Sequence, residues 1–240
     1  RRRPEPAAPT ALQGAAAAIA LFGSMSTHRP MNIVFDFGGV VFRWQPLGLL
    51  RETLPQRARD DEQARDVAAE LFQGYAPQGD WSAFDRGEIG ADTLAQRIAR
   101  RTSLSQAEVL SFVDAVPAHL EPIAETVALL GRLKAAGHRL FYLSNMPAPF
   151  ADHLQRTHAF MACFEDGVFS SQVRLMKPQP AIFCAAAQRF GLAPHALMLI
   201  DDVAHNVDAA RAVGWQAILF RGAPECVAAL PLGTLDDQGL

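Results

Sequence analysis

A chain of 240 residues, of which 50% are hydrophobic, is long enough to bury one good core and a small additional module. The formal net charge of −3 at pH 7 and the scattered Lys and Arg residues provide no basic face, which excludes a typical nucleic-acid-binding domain. No segment reaches the roughly 18 to 20 consecutive apolar residues that span a bilayer, so we predict no membrane partner. The three cysteines lack C-x-x-C spacing, which indicates free thiols in a reducing compartment and a cytoplasmic location.

Residues 1–30 combine Pro, Ala and polar residues with one short apolar run at residues 15–22. Arginines ahead of such a run loosely imitate a secretory signal, and secretion is the alternative that this pattern leaves open. The interpretation that we favour is a disordered N-terminal extension.

Four short apolar runs further along the chain are predicted to be strands, at residues 33–37, 140–144, 197–201 and 217–220. Helical patterns occupy residues 121–136, 178–190 and 206–213, and each of them is followed by or ends near a glycine. Strands that alternate with glycine-terminated helices are typical of a parallel sheet with helices on both faces.

The segment after the first strand is different, because it carries helical periodicity and no convincing strand. We therefore predict an α/β protein with a Rossmann-like, three-layer parallel-sheet core built from residues 31–45 and 117–240. A helical cap at residues 46–116 is inserted into this core.

Polar residues follow each of the main predicted strands and one further loop. Because ligands of open parallel sheets bind beyond the carboxyl ends of the strands, we expect these residues to form one site. They are Asp36, Gly38 and Gly39 after the first strand, Ser144 and Asn145 after the second, Lys177 ahead of a helix that Pro178 is predicted to begin, and Asp201 with Asp202 after the third.

The chemistry of these residue types is that of phosphoryl transfer. A carboxylate such as Asp36 can attack phosphorus and form an aspartyl-phosphate. Two anions approach each other only if a cation lies between them, and Mg²⁺ binds carboxylates together with phosphate oxygens. Asp36, Asp202 and a backbone carbonyl at Gly38 are the predicted metal ligands, with Asp201 in an outer or water-mediated position.

The remaining residues are predicted to bind the phosphoryl group. Ser144 and Asn145 can donate hydrogen bonds to its oxygens, and Gly39 lets the backbone turn sharply beside it. Lys177 would neutralise the charge that develops in the transition state.

Four motifs, DFGGVVF, LSN, KPQPAIF and DDVAHNVDAARAVG, resemble in order those of the haloacid dehalogenase-like (HAD) hydrolase superfamily. The resemblance covers residues 31–220 and is greatest to the subgroup that includes glucose-1-phosphate phosphatase-like proteins. FDRGEIG at residues 84–90 resembles a segment of that subgroup's small C1-type helical cap. The resemblance implies a Mg²⁺-dependent phosphatase that acts on a small phosphorylated metabolite, in particular a sugar phosphate.

The chain departs from the superfamily pattern at Gly38, where most such phosphatases have a second Asp that protonates the leaving alcohol. Its loss removes a contribution of about 10²–10⁴-fold unless the substrate is an anomeric phosphate, whose leaving hydroxyl is more acidic, or another group substitutes. Two alternatives remain: a 2-haloacid dehalogenase, and a weakly active or non-catalytic protein that binds a phosphorylated ligand. Met146 argues against the dehalogenase, since those enzymes usually have Gly after the Ser-Asn pair.

Three further residues have two interpretations each. Arg86 and Glu88 either contact the substrate from the cap and contribute to specificity, or form a charged turn between helices. His205 is either a solvated residue beside the acidic loop or a catalytic residue.

Overall fold

A five-stranded parallel sheet, in the order β3-β2-β1-β4-β5, organises the fold. In the computed structural model, residues 30–231 are described, so the predicted N-terminal extension lies outside the described residues apart from Pro30. The strands are β1 (Asn32–Phe35), β2 (Arg139–Ser144), β3 (Asp166–Phe169), β4 (Leu197–Asp201) and β5 (Gln216–Leu219). Four of them confirm the predicted strands to within two residues at either end.

The register of the sheet brings the predicted catalytic residues together. Phe35 of β1 pairs with Tyr142 of β2 on one side and with Ile200 of β4 on the other. Asp36 continues this pattern, because its backbone N–H donates to the carbonyl of Ile200 at 2.9 Å. The residue after β1 and the last residue of β4 therefore lie side by side at the carboxyl edge.

Five helices follow β1, as the periodicity of this segment predicts. They are α1 (Pro46–Thr53), α2 (Asp61–Phe72), α3 (Asp80–Asp85), α4 (Ala91–Arg101) and α5 (Gln106–His119), with a 3₁₀ turn at Gln73–Tyr75. Local capping explains two of the starts: Asp60 accepts from the N–H of Gln63, and Ser105 forms a capping box with Glu108. We call α1–α5 the insert helices; α5 extends three residues beyond the predicted cap boundary at residue 116.

The remaining helices flank the sheet. They are α6 (Ala124–Ala135), α7 (Ala148–Thr157), α8 (Ser170–Val173), α9 (Pro180–Phe190), α10 (Ala204–Ala212) and α11 (Ala223–Ala229), with 3₁₀ turns at Ala159–Cys163 and Pro194–Ala196. The prediction that Pro178 begins a helix is wrong. Pro178 follows a cis peptide bond, and α9 begins at Pro180 with Gln179 as its N-cap residue.

Two composition-based expectations can be compared with the described residues. No helix among residues 30–231 has both the length and the apolar character needed to cross a membrane. Cys163, Cys184 and Cys226 are free thiols, as their spacing predicts.

Strand β3 was not predicted, and its sequence explains why. Asp166-Gly167-Val168-Phe169 is short and begins with two residues of low strand propensity. Gly167 is required there because a Cβ at this position would lie 2.3 Å from ring atoms of Tyr142 on the neighbouring strand. The Tyr142 ring cannot easily move, since it packs against Phe37 and Phe169 with centroid distances of 4.9 and 4.6 Å.

We expect the substitution Gly167→Ala to destabilise the protein by about 1–3 kcal/mol, because the added methyl group overpacks the contact with the Tyr142 ring. The matched control is Gly131→Ala in α6, where nothing lies within 4 Å of the new Cβ. That control should be neutral or stabilise the helix by about 0.5–1 kcal/mol. Urea unfolding of both variants measures the difference, and equal stabilities would contradict the packing argument.

Candidate active site at the carboxyl edge of the sheet

Asp36 is a buried carboxylate, 7% exposed, that is held by one of its two oxygens. Its Oδ1 accepts hydrogen bonds from the backbone N–H of Phe37 at 2.7 Å and pairs with the Nζ of Lys177 at 2.8 Å. Within the described part of the chain, no donor binds Oδ2. The side chain is therefore fixed in orientation and leaves one oxygen free to act on a ligand.

Lys177 lies between two carboxylates and is only 2% exposed. Its Nζ contacts Asp36 and also Asp201 Oδ2, the latter at 2.6 Å. Asn145 holds the backbone of Lys177 from both sides: its Nδ2 donates to the Lys177 carbonyl at 2.9 Å, and its Oδ1 accepts from the Lys177 N–H at 2.8 Å. The Asn145 side chain thus positions the lysine, and one of its amide N–H groups and its backbone N–H remain for a ligand.

Asp201 is fully buried, and it is saturated by protein donors. Besides Lys177, it accepts from the backbone N–H of Val203 at 2.9 Å and from Asn206 Nδ2 at 3.0 Å. Its neighbour Asp202 differs, because no other residue of the described chain donates a hydrogen bond to its carboxylate. Asp202 is therefore the more available of the two for a metal ion.

Gly39 allows the loop after β1 to approach Asp202 closely. A Cβ at Gly39 would lie 2.2 Å from Asp202 Oδ2, and the φ angle of Gly39 is +74°. Both the contact and the left-handed backbone favour glycine at this position. At Gly38 the situation is less crowded, since the atom nearest to an added Cβ would be Trp44 Cβ at 3.8 Å.

The charges in this cluster favour a divalent cation. Asp36, Asp201 and Asp202 each place an oxygen within 4.8 Å of the others, and with all three acids ionised and Lys177 charged the cluster has a net charge of −2. Burial raises the pKa of Asp36 to about 7 despite the opposing Lys177 charge, and burial together with Asp201 raises the pKa of Asp202. For Lys177, burial opposes the charged form, but Asp201 and Asp36 outweigh it and raise the pKa.

The donor set fits Mg²⁺. Oδ2 of Asp36, the carboxylate of Asp202 and the carbonyl of Gly38 are hard oxygen donors, and within the described chain no other residue donates a hydrogen bond to any of them. Mg²⁺ is bound through one or two carboxylates while it keeps several waters, which matches this small number of protein ligands.

These residues open onto a cavity of about 280 Å³, at the small end of the range for ligand pockets. Six of the eight predicted site residues line it, and Gly39 and Asp201 are not among the lining residues. The six are Asp36, Gly38, Ser144, Asn145, Lys177 and Asp202.

The wall of the cavity away from the sheet edge is largely apolar. Among its described lining residues, the insert contributes no Lys, Arg, Ser, Thr, Asn or Gln side chain. The lining there includes Tyr75, Trp81, Val116 and Leu120, with Phe150 and Met176 from the core. Trp44 also lines the cavity, and its Nε1 donates to the Tyr75 hydroxyl at 3.3 Å.

One acidic residue of the lining was not singled out from the sequence. Asp85 ends α3 within the FDRGEIG segment and lines the cavity while it is only 5% exposed. The sequence signal was available, because Trp81 and Asp85 are four residues apart and so share a helix face. The charged neighbours Arg86 and Glu88 obscured it.

Arg86 and Glu88 form the charged turn rather than a substrate-reading pair. The guanidinium donates to Glu88 at 2.7 and 2.9 Å and to the carbonyl of Pro77 at 2.8 Å. His205, whose role the sequence leaves open, lines the cavity beside Asp202 and Asn206.

Comparison with known proteins places this arrangement in context. The sesquiterpene phosphatase astK of Aspergillus oryzae (strain ATCC 42149 / RIB 40) is 27% identical over 182 residues, which span 75% of this chain and 85% of that protein. Two solved structures share the fold. One is a HAD family enzyme of Bacteroides thetaiotaomicron in complex with magnesium and inorganic phosphate, with a TM-score of 0.62, 17% identity, and coverage of 79% of this chain and 93% of that one.

The second is the L-2-haloacid dehalogenase of Xanthobacter autotrophicus, with a TM-score of 0.61, 16% identity, and coverage of 83% of this chain and 81% of that one. The family model of the haloacid dehalogenase-like hydrolases matches residues 30–214, which include every residue of the site described above. The chain therefore belongs to the haloacid dehalogenase-like hydrolase family.

Proposed function

We propose that this protein is a Mg²⁺-dependent phosphatase that hydrolyses a small phosphomonoester through an aspartyl-phosphate on Asp36. The observation that carries this proposal is the free Oδ2 of Asp36, held beside Lys177 in a buried cluster of three carboxylates. A buried, oriented carboxylate with a cationic neighbour is suited to nucleophilic attack on a phosphoryl group.

In this mechanism, Asp36 Oδ2 attacks phosphorus while the phosphoryl oxygens are held by the surrounding groups. Lys177 and the hydroxyl of Ser144 contact these oxygens, together with the free N–H groups of Asn145. Asp36, Asp202 and the Gly38 carbonyl would hold Mg²⁺, which when bound would neutralise the negative charge of the cluster and of the phosphate. Asp201 stays in an outer position because its oxygens hold Lys177 and Asn206.

The insert acts in this proposal as the cap over the site, with residues 46–116 as the cap domain. Its contribution of Tyr75, Trp81 and Asp85 to the cavity lining supports that role. A cap that closes the cavity also excludes bulk water, which strengthens the electrostatic interactions inside it.

The cavity lining and the sequence resemblance favour different alcohols. The resemblance to glucose-1-phosphate phosphatase-like proteins implies a sugar phosphate, which would need polar partners for its hydroxyl groups. Each hydroxyl left without a partner against the apolar wall costs about 1–3 kcal/mol. We therefore propose a phosphomonoester of a largely apolar alcohol, and the similarity to a sesquiterpene phosphatase supports this choice.

Both alternatives from the sequence are weaker than the phosphatase. A haloacid dehalogenase uses the Asp nucleophile without a metal, and it gains nothing from a cluster with a net charge of −2. A protein that only binds a phosphorylated ligand has no need to hold Asp36 by Oδ1 and leave Oδ2 free.

We expect phosphate release from n-octyl phosphate in the presence of Mg²⁺, with a kcat/KM at least about tenfold above that for glucose 6-phosphate or glucose 1-phosphate. The Asp36→Asn variant should lose activity by about 10³-fold or more, since the amide cannot attack phosphorus. Asp208→Asn, on the exposed face of α10, serves as the matched control and should retain full activity. Preference for a hexose phosphate would support the sugar alternative, and activity in Asp36→Asn would refute the nucleophile.

Mg²⁺ should also stabilise the folded protein, because it binds carboxylates that are close together only in the native state. At about 100 times its Kd, the gain is about 2.7 kcal/mol, which corresponds to a rise in Tm of about 5 °C or more. The variant Asp202→Asn should lose most of this rise, whereas Asp208→Asn should keep it. Thermal unfolding with and without Mg²⁺ measures both, and an unchanged rise in Asp202→Asn would exclude Asp202 as a ligand.

A further inference from the structure

Asp85 is a buried acid whose environment the mechanism above does not explain. Neither of its carboxyl oxygens accepts a hydrogen bond or forms an ion pair with any residue in the described range 30–231. The adjacent Arg86 is engaged with Glu88, Pro77 and Met176 instead. Buried carboxyl groups without a protein partner are rare, because burial without a hydrogen bond is unfavourable.

We propose that Asp85 is the general acid for the leaving alcohol, in place of the carboxyl group that Gly38 lacks. This inference rests on the proposed phosphatase function and assigns to α3 of the insert a step that a residue at the sheet edge usually performs. The cavity brings the two carboxyl groups to one space, Asp36 from the end of β1 and Asp85 from the end of α3.

The backbone of Asp85 is tied to the phosphate-binding edge. Ser170, the first residue of α8, donates its hydroxyl to the Asp85 carbonyl at 2.5 Å. The same hydroxyl accepts a hydrogen bond from the backbone N–H of Met146 at 2.8 Å. Met146 directly follows Asn145, so one buried serine connects the end of α3 to the loop that holds Lys177.

The surroundings of Asp85 keep it protonated at neutral pH. Burial raises the pKa of Asp85 to about 8, and Arg86 opposes this only partly because its guanidinium is paired with Glu88. Tyr75 is a further titratable residue of the insert near Asp85, and burial raises the pKa of Tyr75 to about 12, so it remains neutral. Asp36, Lys177, Asp202 and His205 are the titratable groups that line the rest of the cavity.

The proton transfers balance over the two steps. As Asp36 Oδ2 forms its bond to phosphorus, the P–O bond to the alcohol breaks, and the Asp85 carboxyl proton passes to the departing oxygen. Water then attacks phosphorus from the side that the alcohol left, and the Asp85 carboxylate accepts a proton from it. Phosphate leaves Asp36, and Asp85 is again protonated.

The test compares an ester that needs an acid with one that does not. The leaving oxygen of n-octyl phosphate requires a proton, whereas 4-nitrophenolate departs as a stable anion. We expect Asp85→Asn to lower kcat/KM for n-octyl phosphate by about 10²–10⁴-fold and for 4-nitrophenyl phosphate by less than about tenfold. Asp208→Asn, on the exposed face of α10, is the matched control and should leave both rates unchanged.

The pH profile gives a second readout that a structural role would not affect. Activity of the wild type on n-octyl phosphate should fall as the pH rises through about 8, because Asp85 loses the proton that it donates. This limb should be absent with 4-nitrophenyl phosphate and absent in Asp85→Asn.

Three outcomes would overturn the inference. Equal losses on both esters would mean that Asp85 supports the fold or binding, and no loss on either would mean that it takes no part. A selective loss in His205→Asn with none in Asp85→Asn would assign the proton to the histidine. A wild type that is inactive on both esters, or an active Asp36→Asn variant, would instead refute the proposed function on which the inference rests.

Stability measurements locate the proton on Asp85 without any substrate. Between about pH 4 and the folded pKa of about 8, the unfolded chain releases this proton and the native protein retains it, so wild-type stability should fall as pH rises. The Asp85→Asn variant lacks this dependence and should become relatively more stable than the wild type between about pH 5 and about pH 8. Urea unfolding with saturating Mg²⁺ measures the difference, and parallel pH profiles would show that Asp85 is already ionised.

Discussion

The burial of Lys177 between two carboxylates constrains the rest of the site. An ammonium group removed from water is tolerated only when charged and polar partners surround it closely. Asp36 and Asp201 provide them at 2.8 and 2.6 Å, and Asn145 fixes the backbone of the lysine. Because β1 and β4 supply the two acids, the parallel register of the sheet sets the separation of the charges.

This constraint also explains why one acid of the cluster is held and another is available. Asp201 uses both oxygens to hold Lys177, Asn206 and the Val203 N–H, so it organises the loop after β4. Asp202 has no such donors within the described chain and faces the bare backbone of Gly39. The excess negative charge is therefore concentrated on Asp36 and Asp202, the two acids of this cluster that line the cavity, where a divalent cation and a phosphate can meet.

Sequence patterns predicted the elements that have strong local signals. Continuous apolar runs predicted four strands. The polar residues at or just after their carboxyl ends predicted that Asp36, Ser144 and Asp201 lie at one edge of the sheet. Strand β3 was not predicted because its Gly167 is required by a contact with Tyr142. Tyr142 is distant in sequence, so a short stretch of sequence around Gly167 does not reveal this contact. The start of α9 was misplaced for a local reason, since either Pro178 or Pro180 can occupy a first helical turn.

Asp85 was not predicted as a site residue for a different reason, and this reason also concerns the choice of substrate. From the sequence, a carboxyl group next to a charged turn is expected to be exposed to solvent. Only the tertiary packing of α3 against the core places Asp85 in the cavity lining. Asp85 belongs to the same largely apolar lining that disfavours a polyhydroxylated alcohol, and its burial raises its pKa. A cavity relined with polar groups to accept a sugar would lower that pKa and leave less of the Asp85 carboxyl group protonated at neutral pH. An anomeric leaving group tolerates such a loss, whereas an ordinary alcohol does not, so the polarity of the insert couples the choice of substrate to the supply of the proton.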